Sequence, residues 1–147
     1  MIILDTNILS EIMRPAPAPQ VMAWLRQQPL STLAVTAITL AEIRYGLERL
    51  AEGARRRNLE ERFQAFLARG FDDERILVFD AAAAIAYSTL VVEREKAGRP
   101  IDAFDAMIAA IARREGASVA TRDRSGFENC GVDLINPWDY RPPDNLQ

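Results

Sequence analysis

The chain has 147 residues, of which 49% are hydrophobic, a formal net charge of −3 and no histidine. This size and balance predict one globular domain. The single cysteine, Cys130, excludes an internal disulfide and a cysteine-based zinc site. Without histidine, catalysis must rely on carboxylates, hydroxyls, Lys96, arginines or a hard metal ion. The acidic balance disfavours nucleic-acid binding through bulk charge alone, although a bound cation can reverse the field of an acidic site.

The first predicted strand, residues 2–4, runs directly into Asp5. Its uninterrupted apolar run is typical of a strand that is buried on both faces of a parallel sheet. Asp5 would then lie at the carboxyl end of this strand, where open α/β sheets bind their ligands. Alternatively, Asp5 or Asn7 simply caps the helix that begins near Ile8.

Four further strands follow, most of them separated by helical patterns. This alternation predicts an α/β fold with a mainly parallel central sheet and right-handed crossovers. The predicted strands are residues 2–4, 33–35, 76–79, 117–121 and 132–135, and the predicted helices begin near residues 8, 21, 36, 55, 81 and 100. We expect one domain over residues 1–138 and a short, proline-rich polar tail over residues 139–147.

Features of the chain also bear on its location. Asp5 interrupts the apolar start and no basic segment precedes it, so we expect no signal peptide. The longest apolar stretches, such as residues 81–87, are far too short to span a membrane. With a single cysteine, these features predict a cytoplasmic protein that does not associate with a membrane.

Glu42 is the first of three further acids that could lie near Asp5. It comes one residue before Ile43 in the helix predicted from Thr36, so it flanks the apolar face of that helix. The segment from Thr39 to Glu42 also matches the capping box, in which a glutamate accepts a hydrogen bond from the amide of the cap residue. The sequence is compatible with both roles.

Asp105 and Asp123 complete the set of acids. Asp105 borders the buried stripe of its helix and needs a partner there, because an unpaired buried charge is costly. Asp102 lies closer to the start of the same helix and suits a cap. Asp123 follows the strand predicted at 117–121 and fits either the edge of the sheet or an ordinary Asx turn.

Parallel strands place their carboxyl ends at one edge of the sheet, so we expect four acids to lie close together: Asp5, Glu42, Asp105 and Asp123. Clustered carboxylates repel one another unless a cation holds them. Oxygen ligands without histidine or cysteine favour Mg²⁺ or Mn²⁺. An incomplete protein cage leaves positions for water and phosphate oxygens, as in metal-assisted phosphodiester hydrolysis. Asn7 would then cap the first helix and leave Asp5 free.

With these residues the sequence resembles the PIN-domain ribonucleases of the VapC type, the toxins of bacterial toxin–antitoxin pairs. The resemblance covers residues 1–138, with order and spacing kept, and its last motif is similar to the FitB-like branch. It implies a three-layer α/β/α sandwich with a mainly parallel central sheet. The motifs are Leu-Asp-Thr-Asn-Ile-Leu-Ser-Glu (4–11), Thr-Ala-Ile-Thr-Leu-Ala-Glu (36–42), Asp-Ala-Met-Ile-Ala-Ala (105–110), Ala-Thr-Arg-Asp (120–123) with Phe127 after it, and Asn-Pro-Trp (136–138).

The resemblance also implies roles for individual residues. Asp5 and Asp105 match the principal Mg²⁺ ligands, and Glu42 and Asp123 match the acids that complete the site. The polar residues that orient these acids or contact substrate match Thr6, Asn7 and Thr121. Asp102 lies outside the matched set, so the resemblance gives it no role.

The partners implied by the resemblance are an RNA substrate, a second copy of the chain and a small VapB-like antitoxin. In the family the antitoxin tail blocks the cleft, often with an arginine among the acids, and DNA is contacted only indirectly, through the antitoxin. Metal chemistry and the resemblance together predict in-line attack by an activated water, which leaves 5′-phosphate and 3′-hydroxyl ends. The chain has no histidine for a metal-free route through the 2′-hydroxyl.

Three alternatives are less consistent with the sequence. A receiver-like signalling module also binds Mg²⁺ at a parallel-sheet edge, but it needs a lysine near a late strand, whereas Lys96 is predicted at a helix end. A haloacid-dehalogenase-like phosphatase would use Asp5 as nucleophile with a second acid two residues on, where this chain has Asn7. A degenerate PIN domain that binds its partner without cleaving is disfavoured because all four acids are present.

Overall fold

The computed structural model describes residues 1–71 and 73–144, so the end of the predicted tail, residues 145–147, lies outside the described part. The strands are β1 (Ile2–Leu4), β2 (Leu33–Thr36), β3 (Ile76–Leu77), β4 (Ser118–Ala120) and β5 (Leu134–Ile135). The helices are α1 (Thr6–Ile12), α2 (Pro19–Gln27), α3 (Ala37–Glu48), α4 (Ala54–Leu67), α5 (Ala81–Lys96), α6 (Ala103–Glu115) and α7 (Arg124–Phe127). Single 3₁₀ turns lie at Leu30–Thr32, Asp73–Arg75 and Pro137–Asp139.

The five strands form one sheet in the order β3-β2-β1-β4-β5, and every pairing is parallel. In the central strand, Ile2 lies opposite Leu33 of β2 and Ser118 of β4. The chain therefore leaves β1 towards one side of the sheet and later returns to the other side. Such a reversal opens a crevice at the carboxyl ends of the strands, and Asp5 follows β1 at this position.

Successive residues of each strand face two separate cores. Ile3 and Val119 belong to a core that also contains buried residues of α5 and α6. Leu4 and Ala120 belong to a second core, which α1, α2, α3 and α4 cover. Helices on both faces explain why β1 is apolar at every position. The predicted three-layer α/β/α sandwich with a parallel sheet is confirmed.

Three single residues have structural positions in this packing. Trp24 and Cys130 are 6% and 1% exposed, so both are core residues. Asp80 caps α5, because its carboxylate accepts the N–H of Ala83 at 2.9 Å. Among the described residues, no helix is long and apolar enough to cross a membrane.

Arg94 is a buried cation that connects α5 to the segment around α7. Arg94 is only 4% exposed. The guanidinium donates to the backbone carbonyls of Arg99 at 2.7 Å, Ser125 at 3.3 Å and Glu128. A buried guanidinium needs such acceptors, because an unpaired buried charge is costly, and through them Arg94 fixes the loop that follows Asp123.

We expect Arg94→Met to lower the free energy of unfolding by about 2–4 kcal/mol, because it removes three charge-assisted hydrogen bonds that a buried side chain makes to the backbone. Urea unfolding followed by circular dichroism measures this change. The matched control is Arg99→Met, which removes an exposed ion pair of 2.9 Å to Glu128 and should cost less than about 1 kcal/mol. Equal losses in the two variants would contradict the role given to Arg94.

Candidate acidic active site

An open pocket of about 570 Å³ lies over the carboxyl ends of β1 and β4. All four acids that the sequence predicts line it: Asp5, Glu42, Asp105 and Asp123. Thr6 and Asn7 also line the pocket, whereas Thr121 is completely buried behind it. The remaining lining residues are Ser10, Glu11, Arg14, Arg122 and Trp138. The structure thus brings the predicted site residues together at the edge where the strand order reverses.

Asp5 is held rigidly at the floor of the pocket and is only 5% exposed. Its backbone N–H donates to the carbonyl of Ala120 at 2.9 Å, which extends the pairing of β1 with β4. Oδ2 accepts hydrogen bonds from Thr121 Oγ1 at 2.8 Å and from Asn7 Nδ2 at 3.1 Å. Oδ1 accepts the backbone N–H of Thr6 at 2.8 Å. These donors fix the direction of the carboxylate before any ligand arrives.

The expectation that Asn7 caps α1 is wrong, because the N-cap is Asp5 itself. Asn7 lies inside the first turn, and its side chain reaches across to β4 instead of to its own helix. Nδ2 donates to Thr121 Oγ1 at 3.2 Å, and Oδ1 accepts the backbone N–H of Arg122 at 3.2 Å. Asp5 therefore both caps the helix and lines the pocket.

Asp123 likewise both caps a helix and lines the pocket. Its backbone N–H donates to Thr121 Oγ1 at 3.0 Å. Its Oδ1 accepts from Ser125 Oγ at 2.9 Å and from the N–H of Gly126 at 3.0 Å, so the predicted Asx turn is present and caps α7. The structure nevertheless places the carboxylate in the pocket lining.

Glu42 faces the pocket and takes no part in capping. The N-cap of α3 is Thr36, whose Oγ1 accepts the N–H of Thr39 at 3.1 Å, so the capping box proposed from the sequence is wrong. Glu42 Oε1 accepts a hydrogen bond of 2.8 Å from Thr6 Oγ1, which connects α3 to α1. Of the two roles that the sequence left open, the structure selects the one in which Glu42 points towards the site of Asp5.

Asp102 and Asp105 have different positions although they begin the same helix. Asp102 is exposed and caps α6, where its Oδ1 accepts the N–H groups of Phe104 at 3.0 Å and Asp105 at 3.3 Å. The predicted cap at Asp102 is confirmed. Asp105 is half-buried, and within residues 1–71 and 73–144 its carboxylate receives no hydrogen bond. Asp105 is thus the acid of the pocket that lacks a donor.

Gly126 allows two of the acids to approach the same small space. A Cβ at this position would lie 2.7 Å from Asp123 Oδ2 and 3.4 Å from Asp105 Oδ2. Contacts below 3.0 Å force a neighbour to move. A side chain at this third residue of α7 would therefore displace the Asp123 carboxylate from its present position.

The acids of the pocket destabilise one another's charged forms. The pKa of Asp105 is raised from the ordinary 3.8 to about 7, first by burial and then by repulsion from the neighbouring carboxylates. Burial also raises the pKa of Asp5, although hydrogen bonds from Thr121 and Thr6 oppose the shift. The pKa of Glu42 is raised mainly by burial. A cation in the pocket would relieve this repulsion.

The donor set fits Mg²⁺ better than a metal that needs a complete protein cage. In the described ranges, no group of three or more acidic or cysteine side chains is arranged to hold a metal ion by itself. Mg²⁺ usually takes only one or two carboxylates and keeps several waters. Asp5 and Asp105 can supply such a pair, since both line the pocket and Asp105 has no other partner among the described residues.

Five residues of the pocket lining were not predicted from the sequence: Ser10, Glu11, Arg14, Arg122 and Trp138. Glu11 is 7% exposed, and its carboxylate accepts the N–H of Ala18 at 2.8 Å and pairs with Arg14 at 3.3 Å. For Glu11 the spacing offered a signal, because it follows Asn7 by four residues and so shares its helix face. Arg122 and Trp138 meet only through the tertiary fold, which no local pattern reports.

This protein is an α/β domain with an acidic site at the carboxyl edge of a parallel sheet, where the order of the strands reverses. A family model described as the PIN domain matches residues 2–131, so the chain belongs to the PIN domain family.

VapC ribonuclease Y4jK of Sinorhizobium fredii is 40% identical over 139 residues, which cover 95% of this chain and 99% of that protein. Toxin FitB of Neisseria gonorrhoeae is 39% identical over 138 residues, 94% of this chain and 99% of that protein. A solved structure of FitAB bound to an IR36 DNA fragment contains a chain with a TM-score of 0.88 and 38% identity, covering 97% of this chain and 99% of that one.

The raised pKa of Asp105 makes the stability of the metal-free protein depend on pH. The folded chain binds this proton more tightly than the unfolded chain, so the free energy of unfolding should fall as pH rises from about 4 to about 7 and then level off. Asp105→Asn should therefore stabilise the metal-free protein at pH 8 by about 1–2 kcal/mol, after allowance for partial exposure, and have little effect at pH 4. Urea unfolding in EDTA at both pH values measures this difference.

The control for this experiment is Asp102→Asn, which removes one charge from the same end of α6. Asparagine is also a good cap, so this variant should change stability by less than about 0.5 kcal/mol at either pH. Destabilisation by Asp105→Asn at pH 8 would show that burial and the neighbouring carboxylates do not destabilise the charged form of Asp105.

Proposed function

We propose that this protein is a metal-dependent endoribonuclease that acts in the cytoplasm as the toxin of a toxin–antitoxin pair. The observation that carries the proposal is Asp105, a half-buried carboxylate without a hydrogen-bond donor among the described residues, in one pocket with Asp5. Such an arrangement is unstable without a cation and well suited to one. It supports Mg²⁺, or Mn²⁺ in its place, as the resident metal, held by Asp5 and Asp105.

Bound between these two acids, the metal would offset charge on a phosphodiester and make a water molecule more acidic. The protein contributes orientation. Thr121 and Asn7 hold Oδ2 of Asp5, and Thr6 holds Glu42, so neither carboxylate has to reorganise when substrate binds. Glu42 and Asp123 remain available to accept a proton from the attacking water or to orient it.

An RNA substrate and an antitoxin partner are inferred from the relatives. One relative is named a VapC ribonuclease and another is named toxin FitB, and both align over nearly the full length of this chain. The related chain of known structure occurs in a FitAB complex bound to DNA. A second, smaller protein that covers the acidic pocket would explain how a ribonuclease is kept inactive, and contact with DNA would run through that protein.

We expect the protein to cleave RNA in the presence of Mg²⁺ and to stop when EDTA removes the metal. Asp5→Asn and Asp105→Asn should each lower the rate by about 100-fold or more, because each removes a metal ligand. Gel assays on transfer, ribosomal and messenger RNA measure cleavage, and end-labelling identifies the termini. We expect 5′-phosphate and 3′-hydroxyl ends.

The matched control is again Asp102→Asn, which should leave the rate within about threefold because Asp102 caps α6 outside the pocket lining. Mg²⁺ should also raise the melting temperature of the wild type but not that of Asp105→Asn. A 2′,3′-cyclic phosphate product, or full activity in both acid variants, would refute the mechanism.

We also propose a homodimer through the outer face of α5. The residues Ala81, Ile85, Ser88 and Val92 are all exposed and recur at helical spacing on one side of this helix. Ile85 and Val92 are 71% and 45% exposed, which is unusual for large apolar side chains at neighbouring positions. A second copy of the same helix would bury this stripe in an isologous contact.

Sedimentation should show a species of twice the chain mass, and Ile85→Lys combined with Val92→Lys should convert it to monomer, because it places charges in the apolar contact. Tyr45→Lys is the control. Tyr45 is 64% exposed on α3 and its replacement should not change the mass. A dimer that survives the double substitution would show that another surface is used.

A further inference from the structure

The rim of the acidic pocket carries an aromatic side chain next to a cation. Trp138 and Arg122 both line the pocket, and the guanidinium carbon of Arg122 lies 5.1 Å from the centroid of the Trp138 ring. This distance is within the range of a cation–π contact. Within residues 1–71 and 73–144 there are two other such contacts, Arg44 with Phe63 and Arg49 with Tyr45, but none of those residues lines this pocket.

Both members of the pair are held from behind by the fold. Trp138 belongs to the 3₁₀ turn Pro137–Asp139, its backbone N–H donates to Asn136 Oδ1 at 3.0 Å, and it packs as a half-buried side chain on the core under α1 and α2. The backbone N–H of Arg122 donates to Asn7 Oδ1 at 3.2 Å. The same asparagine also binds the carboxylate of Asp5, so the pair keeps a fixed relation to the acids.

The two arginines of the rim differ in their partners. Arg14 forms an ion pair of 3.3 Å with Glu11. Arg122 is exposed and, among the residues that the structure describes, pairs with no carboxylate, although acids line the pocket beside it. Its charge is thus available to an anionic ligand, and the outer face of its guanidinium, which lies over the aromatic ring, is available for stacking.

We propose that Arg122 and Trp138 form a binding platform for one unpaired nucleotide next to the phosphodiester to be cleaved. The base stacks on the indole–guanidinium pair, and the charge of Arg122 attracts the adjoining phosphate. This inference rests on the proposed ribonuclease function and assigns a substrate-binding role in it to Arg122 and Trp138. A base within a duplex has both faces covered by its neighbours, so it has no face to offer the platform.

Stacking also explains how an acidic pocket binds a polyanion. The carboxylates repel a phosphodiester, and one metal ion offsets only part of that repulsion. Base stacking on an aromatic side chain is insensitive to charge and tolerates any base. The platform therefore adds affinity without adding sequence preference.

The first test uses the fluorescence of Trp138 in EDTA, where no cleavage is expected. The chain has two tryptophans, and Trp24→Phe leaves Trp138 as the only one. A single-stranded hexaadenylate should quench this fluorescence in a saturable way, and a duplex RNA should bind about 10-fold more weakly. The matched control, Trp138→Phe, retains only Trp24, which is 6% exposed and should not respond.

Two further ligands identify what the platform binds. Ribose 5-phosphate has the phosphate but no base, and it should not quench at the same concentrations. Equal quenching by this ligand would overturn base stacking. Quenching by a short arginine peptide but not by RNA would assign the platform to a protein partner and would also overturn the proposal.

The second test measures cleavage of a single-stranded RNA with Mg²⁺. Trp138→Leu should raise KM about 10-fold while kcat stays within about threefold, and Trp138→Phe should restore part of the loss. Melting temperatures establish that each variant is folded, and Arg122→Gln serves as a second variant that leaves the core unchanged. An unchanged KM in folded Trp138→Leu and Arg122→Gln would overturn the platform.

The two tests separate this inference from the proposed function. RNA that quenches Trp138 but is never cleaved would support the platform and contradict the endoribonuclease. Cleavage that depends on Asp5 and Asp105 but not on Trp138 or Arg122 would support the endoribonuclease and contradict the platform.

Discussion

The hydroxyl of Thr121 is the contact on which the geometry of the acidic site depends. It is completely buried at the end of β4, donates its proton to Asp5, and accepts hydrogen bonds from the Asn7 amide and from the backbone of Asp123. A hydroxyl has one donor and two acceptor positions, and all three are used here. Because the donor is directed at Asp5, this carboxylate is fixed relative to both central strands. The site is therefore an extension of the sheet and not a feature of mobile loops.

Like charges at the edge of the sheet are tolerated because of the helices that begin there. Asp5, Asp102 and Asp123 are the N-caps of α1, α6 and α7. Each helix directs its unpaired N–H groups and the positive end of its dipole towards the acids. This field offsets part of the repulsion at Asp5 and Asp123, which accept backbone hydrogen bonds. Asp105 accepts no hydrogen bond among the described residues, and burial together with the neighbouring carboxylates raises its pKa to about 7.

The sequence predicted those features that depend on neighbours along the chain. Apolar runs that end in an acid located the strands, and the cap at Asp102 follows from its position before α6.

Contacts between distant segments were not predictable in the same way. The exchange of roles between Asp5 and Asn7 depends on Thr121, which is more than a hundred residues away and adjacent only through the parallel pairing of β1 and β4. Glu42 is directed to the pocket by Thr6 on another helix, and Trp138 reaches the rim because its turn packs against α2. Position in the sequence identified the acids, but their partners are set by the tertiary fold.

The order of the strands has a consequence for how the protein is made. β1 lies at the centre of the sheet, but one of its two neighbours, β4, begins only at Ser118. A chain emerging from the ribosome therefore holds Asp5 for most of its synthesis without Thr121, which donates a hydrogen bond to it in the finished fold. Parallel pairing between such distant segments requires the closure of a long loop of chain, so it forms late in folding. The pocket cannot exist until nearly the entire domain has been translated, so an incomplete chain carries the acids without the site. For a protein whose activity would harm the cell that makes it, this topology delays that activity until synthesis is almost finished.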